Sequence, residues 1–223
     1  MGETIRLTSA DGHAFDAWLA RPDQAPRGGL VVAMEMYGVN GYLREVCEAY
    51  AADGYAAIAP DLWGRVEPGL ALPYDDVGSA RGKVLCKEAD WGLAVQDLAA
   101  AADAVRDAGK VAVMGFCYGG TLTWLAACTD TFDAAIAYYG SDMCDFPDRV
   151  PRCPVLCHVG DADTAVPPDA VAAFRAKRPE VHWHIYPGVQ HGFDNHTRPA
   201  RHDAAASRLA RSRTLDFLAR HLG

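Results

Sequence analysis

The sequence predicts a mixed α/β fold with a mainly parallel, doubly wound sheet and an N-terminal antiparallel hairpin. Three observations carry this reading. Continuous apolar runs such as Gly29–Met34 and Lys110–Met114 suit strands covered on both faces. Stretches with apolar residues at helical spacing alternate with those runs. Near the start, Asp11-Gly12 separates two strand-like segments, Thr4–Thr8 and Ala14–Ala20, as a hairpin turn.

The remaining elements follow in order. After the apolar strand ending at Met34, Val39–Ala52 suits a helix with Leu43, Val46, Cys47 and Tyr50 on one side, stopped by Asp53-Gly54, and Tyr55–Ala59 is the next strand. From Asp61 to about Lys87 the chain is rich in Gly, Pro and Asp and carries Trp63, Tyr74 and Arg81; so long a connection reads as a functional or mobile loop. Trp91, Val95, Leu98, Ala102 and Val105 then mark the core side of a helix. Beyond the Lys110–Met114 strand, Tyr118–Cys128 reads as helix, Ala134–Tyr139 and Pro154–Val159 as strands, Pro168–Lys177 as helix and Val181–Tyr186 as the last strand. A final helix turns Leu209, Leu215, Phe217 and Leu218 inward.

Composition sets the outer bounds. With 223 residues, half of them hydrophobic, the chain suits one domain over 1–223 with one large core. A net charge of −8 without a basic run argues against nucleic acid, although a few cations in a concave site still serve an anionic small molecule. Seven cysteines without paired spacing fit a reducing compartment, and no C-x-x-C pair suggests zinc. The N-terminus has no basic segment leading an apolar stretch, and no apolar run reaches the roughly 18 residues of a membrane span. The expectation is a soluble, cytoplasmic, cofactor-free monomer with no metal and no membrane partner.

The chemistry concentrates at Gly115-Phe116-Cys117-Tyr118-Gly119, between a strand and a helix, which places a cysteine in the nucleophile-elbow pattern. A sharp strand-to-helix turn strains its central residue and needs neighbours without a Cβ, so that the sulfur projects above the sheet. The helix start favours thiolate, a help that a free thiol with a pKa near roughly 8.5 needs. Two further loops beyond strand ends carry partners: Gly160–Pro167 holds Asp161 and Asp163, and Gln190–Phe193 holds His191. The order nucleophile, acid, histidine is that of α/β-hydrolases. His191 would carry the proton, an aspartate of the second loop would orient its imidazole, and the N–H groups of Tyr118 and Met36 would receive the oxyanion. Glu35, at the end of its strand, reads equally as a regulator of the thiol's proton or as a solvated carboxylate. His182 and His184 share a strand face, but without a third ligand they read as structural. Tyr139 lines the pocket or packs with other aromatics.

These residues resemble the dienelactone hydrolase family over nearly the whole chain. The matching motifs are Glu35–Asn40, Gly54–Ala57, Pro60–Leu62, Gly115–Gly120, Tyr138–Gly140, Gly160–Pro167 and His191–Phe193. The resemblance implies the α/β-hydrolase fold, a triad of Cys117, Asp163 and His191, and Glu35 as acceptor of the thiol proton when substrate binds. It also implies hydrolysis of an unsaturated, carboxylated lactone to maleylacetate. In the family two arginines, a tyrosine and a tryptophan hold the substrate carboxylate. Here three of those positions fall on Ser79, Lys83 and Cys86, and the second arginine falls on Asn195. Arg81 and Arg198 are the nearby cations that would substitute, with Lys83 in support. Two other readings remain: a carboxylesterase of the same fold with a different, uncarboxylated substrate, and a non-catalytic thiol redox or binding protein on this scaffold.

Overall fold

A computed structural model describes residues 2–223. Its eight strands are β1 (Glu3–Thr8), β2 (Ala14–Ala20), β3 (Gly28–Ala33), β4 (Tyr55–Pro60), β5 (Val111–Phe116), β6 (Ala134–Tyr138), β7 (Val155–Gly160) and β8 (His182–Tyr186). They form one sheet in the order β1-β2-β4-β3-β5-β6-β7-β8. The first hairpin pairs antiparallel, β2 meets β4 antiparallel, and every other pairing is parallel. The helices are α1 (Gly41–Ala52), α2 (Asp76–Glu88), α3 (Trp91–Asp103), α4 (Tyr118–Ala127), α5 (Pro168–Lys177) and α6 (Ala204–His221). Strands β3, β4, β5, β6 and β7 are buried along their full length, as their unbroken apolar runs require when helices cover both faces.

Two readings of the sequence are corrected. The stretch from Asp61 to Lys87 is not all loop, because its second half is α2, and the glycines that disguised it are contact residues. A Cβ on Gly78 would lie 2.0 Å from the Pro73 carbonyl oxygen, and one on Gly82 would lie 2.9 Å from Met36 Cγ. The helix needs those glycines to lie close against its neighbours, and Asp75 caps it by accepting the Gly78 N–H at 2.8 Å. In α6, Leu209 is 46 % exposed; Ala206, Ala210 and Thr214 face inward beside Phe217 and Leu218.

The remaining loop is fixed rather than loose. Buried Asp61 accepts the N–H groups of Trp63 and Gly69 at 3.2 and 2.7 Å, so it folds the turn around its own carboxylate. Arg65 bridges Asp11 and the fully buried Asp97 of α3. Trp63 donates its indole N–H to the Met36 carbonyl at 3.1 Å, tying the loop to the end of β3.

Close packing also surrounds Cys117. A Cβ on Gly119 would sit 2.3 Å from the Ala33 carbonyl oxygen, one on Gly115 2.2 Å from the Gly119 carbonyl oxygen, and one on Gly120 2.6 Å from the Tyr138 carbonyl oxygen. All three are far below any real Cβ contact, so α4 can approach β3 and β6 only with glycine there. Gly119→Ala is expected to lower stability by about 3 kcal/mol, measured by urea unfolding; an unchanged midpoint would contradict this account of the turn.

Candidate active site

Cys117 lies between β5 and α4 with φ 55° and ψ −115°, a left-handed conformation that a residue with a Cβ adopts at a cost. Its N–H donates to the Tyr138 carbonyl at 3.0 Å, and its own carbonyl accepts from Gly120 and Thr121 at 2.9 and 3.2 Å. Both ends of the bend are therefore held, and the side chain is turned into a cavity of about 420 Å³. Glu35, Met36 and His191 line the same cavity.

The other two loops converge from β7 and β8. Gly160 ends β7 where a Cβ would meet the Val189 carbonyl oxygen at 1.9 Å, which brings the two loops together. Asp163 is buried; one carboxylate oxygen accepts the N–H groups of Ala165 and Val166 at 2.8 and 3.1 Å. The other faces His191 Nδ1 at 2.8 Å. Thus the carboxylate is locked by backbone donors and presents one free edge to the imidazole, leaving Nε2 for the cavity. Burial opposes a charge on His191, but the negative charge available on Cys117 and on Asp163 outweighs it and pushes the imidazole up to about 10. Asp161 lies on the exposed side and accepts the Gly188 N–H at 2.6 Å. Its work is to shape the β8 loop, whereas Asp163 meets the histidine.

Glu35 follows β3 and is 3 % exposed. Its Oε2 accepts from Asn195 Nδ2 at 2.9 Å and from the Tyr74 hydroxyl at 3.2 Å. Burial pushes its carboxyl above the ordinary range, with Arg198, Asn195, His191 and Tyr74 pulling the other way. The strand-end carboxylate is thus not solvated. Met36 packs against α2 through Gly82, and Tyr118, first residue of α4, has no intrahelical acceptor for its N–H. The Tyr118 ring is sandwiched between Trp63 and Trp91, with centroids 5.0 Å away on each side, which fixes the start of the helix.

Of the cations expected to face the substrate, Arg81 does not. It points outward from α2 and pairs with Glu67 in solvent, a consequence of the helical periodicity hidden by the glycines. Lys83 and Lys87, four residues apart on α2, line the cavity instead, together with Arg198 and Arg201. Among the described residues none of these four pairs with a carboxylate, and Arg198 lies over the rings of Tyr37 and Tyr74, 5.2 Å from each centroid. Tyr139 does not line the cavity. It is 1 % exposed, has φ 39°, and packs edge-on to His191 at 5.0 Å, as a wall behind the imidazole. For Lys87 the signal in the sequence is its four-residue spacing from Lys83, visible once α2 is seen as a helix; Arg201 lies in the turn before α6 and has no such signal. No cluster of three or more metal-ligating side chains occurs among the described residues.

The fold and the cysteine at its strand-to-helix turn define an α/β-hydrolase. More narrowly, the chain belongs to the dienelactone hydrolase family, whose sequence model matches residues 15–222, and it is a dienelactone hydrolase-like enzyme acting on ester or lactone bonds. A carboxymethylenebutenolidase of Pseudomonas putida is 36 % identical over 97 % of this chain and 96 % of its own length. Carboxymethylenebutenolidase 1 of Cupriavidus pinatubonensis is 32 % identical over 98 % and 97 %. Among solved structures, a Klebsiella pneumoniae protein assigned as a dienelactone hydrolase superposes with a TM-score of 0.83 at 28 % identity, covering 97 % of this chain and 99 % of its own. No helix among the described residues is long and apolar enough to cross a membrane.

The Glu35 carboxyl provides a test of the site's energetics. A buried acid that holds its proton more tightly when folded stabilises the fold at low pH and loses that stability as pH rises through its raised range. Glu35→Gln is therefore expected to raise stability at pH 8 by about 1 kcal/mol while leaving it nearly unchanged at pH 4. Thermal unfolding at the two pH values checks this, and equal shifts at both would contradict the raised carboxyl.

Proposed function

We propose that this enzyme hydrolyses a lactone or ester that carries a carboxylate, through a covalent thioester on Cys117. The single observation that supports this most is the coincidence, around one cavity, of the strained Cys117, the Asp163-oriented His191 and four cations without carboxylate partners. In a chain of net charge −8, such a cluster is a local reversal of sign that suits an anionic substrate.

Substrate displaces water from the cavity, and the Cys117 thiol gives its proton to Glu35. The thiolate sulfur attacks the carbonyl carbon, and the oxyanion is received by the N–H groups of Met36 and Tyr118. The C–O bond breaks, the leaving oxygen takes the proton on His191 Nε2, and the acyl group stays on sulfur. His191, now neutral, removes a proton from water, whose oxygen attacks the thioester. The carboxylic acid leaves, the sulfur departs as thiolate, and Glu35 returns its proton. One water is consumed, and a lactone opens without losing an atom. Asp163 stays ionised throughout and stabilises the imidazolium.

Substrate anchoring is assigned to Arg198 and Arg201 on one wall and Lys83 and Lys87 on the other. A guanidinium is the better carboxylate partner because its donors are fixed in a plane, so Arg198, already stacked on two rings, is the principal contact.

Turnover of a carboxylated lactone and of a neutral aryl ester separates these roles. Cys117→Ala is expected to abolish both, and one equivalent of a thiol-alkylating reagent to do the same. The Lys83→Ala/Lys87→Ala pair and Arg198→Ala are expected to raise KM about tenfold or more for the carboxylated compound only, Arg198→Ala also moving the acid limb of both substrates upward because its charge favours ionised Glu35, and Arg81→Ala to change neither. Equal rises in KM for the two substrates in the lysine variant, or full activity without Cys117, would overturn the reading.

A further inference from the structure

We propose that Asn195 is a positioning residue for the reaction, holding Glu35 beside Cys117 through a buried amide whose orientation is fixed by Thr197 and shared with Tyr74. The inference rests on the reading of Glu35 as the thiol's proton acceptor and goes beyond it. It assigns a role to the residue that stands where relatives are expected to carry a substrate-binding arginine.

The geometry is specific. Asn195 is fully buried. Its Oδ1 accepts from the Thr197 N–H at 3.1 Å and from the Thr197 hydroxyl at 2.6 Å, and two donors at one end of the amide decide which end is oxygen. Nδ2 must then face the other way, where it donates to Glu35 Oε2 at 2.9 Å and to the Tyr74 hydroxyl at 2.8 Å. The Tyr74 hydroxyl in turn donates to Glu35 and accepts from Asn40 Nδ2 at 2.8 Å. Asn40 is itself held as the cap of α1, its Oδ1 taking the Leu43 N–H at 3.2 Å. The support for Glu35 is therefore a closed set of neutral donors running from Thr197 to the start of α1.

Two consequences follow. All of Asn195's polar atoms are engaged and none lines the cavity, so a substrate anion does not reach it; anchoring falls to the cations that do line the cavity. A neutral amide, unlike a guanidinium, also leaves the buried carboxylate without a full counter-charge. The titratable groups facing Glu35 are Tyr74, His191, Arg198, Tyr42 and Tyr139, with Cys117 lining the same cavity, and of these only Arg198 carries a permanent positive charge. A second carboxylate at position 195 would thus act directly on the proton affinity of Glu35.

Asn195→Asp keeps the shape and the Thr197 bonds while placing a carboxylate oxygen against Glu35. Its effect is read by ¹³C NMR titration of the Glu35 side-chain carbon, assigned by its loss in Glu35→Gln, which needs no turnover. The Glu35 titration is expected to move up by about one pH unit or more, and the acid limb of kcat/KM for a neutral aryl ester to move with it, KM staying within about twofold. Thr197→Val, a milder change that frees the amide to turn, is expected to move both in the same direction by less. An unmoved Glu35 titration in both variants would overturn the proposal, as would an unmoved limb accompanied by a raised KM for carboxylated substrates alone. If no ester is hydrolysed at all, the catalytic reading fails while the titration still decides whether Asn195 governs Glu35.

Discussion

One backbone conformation organises the molecule: the left-handed turn at Cys117, held because the sheet and the following helix meet more closely than side chains allow. A non-glycine residue at φ 55° is strained by an amount on the order of 1–3 kcal/mol, and isolated chains relax such strain. Here relaxation is blocked. Gly115, Gly119 and Gly120 bring α4 against the ends of β3 and β6, and the carbonyls of Tyr138 and Cys117 are bonded across the bend. Strain at Cys117 is thus maintained by packing at the glycines around it.

The same close approach positions the rest. Because α4 touches the end of β3, the residues that follow that strand, Glu35 and Met36, line the same cavity as Cys117. Trp63 then ties Met36 to the loop after β4, and Tyr118 is clamped between Trp63 and Trp91. On the other side, Gly160 packs under Val189, which joins the Asp163 loop to the His191 loop and makes their 2.8 Å hydrogen bond possible. The two buried acids are satisfied differently: Asp163, which meets His191, accepts from backbone donors, and Glu35 accepts from neutral side chains.

Much of this was legible in the sequence, for identifiable reasons. Buried parallel strands leave unbroken apolar runs, and an elbow leaves a glycine-flanked nucleophile, so β3, β5 and Cys117 announce themselves. The aspartate and histidine loops follow from their places after strands. What stayed hidden depended on contacts between distant segments. Gly78 and Gly82 read as loop residues because their purpose, close packing on Pro73 within the preceding turn and on distant Met36, is a matter of geometry that composition does not carry. With α2 unseen, Arg81 stood out as a cation, although the helix turns it to solvent and turns Lys83 and Lys87 inward. Leu209 reads as an inward residue by its type, yet the buried face of α6 runs through Ala206, Ala210, Thr214, Phe217 and Leu218 and leaves it outside. Asn195 reads from the sequence as a missing arginine; its contacts with Thr197, Tyr74 and Glu35 appear only in three dimensions.

In the proposed reaction the sulfur of Cys117 carries the acyl group between two half-reactions. Rapid quenching in acid during turnover of a chromogenic ester, followed by intact-mass measurement and peptide mapping, tests it most directly. The account predicts a transient mass increase equal to one acyl group, located on the peptide containing Cys117 and labile to hydroxylamine. Product formation with no acylated Cys117 at any time point, under conditions where a stable thioester standard survives the quench, would contradict it.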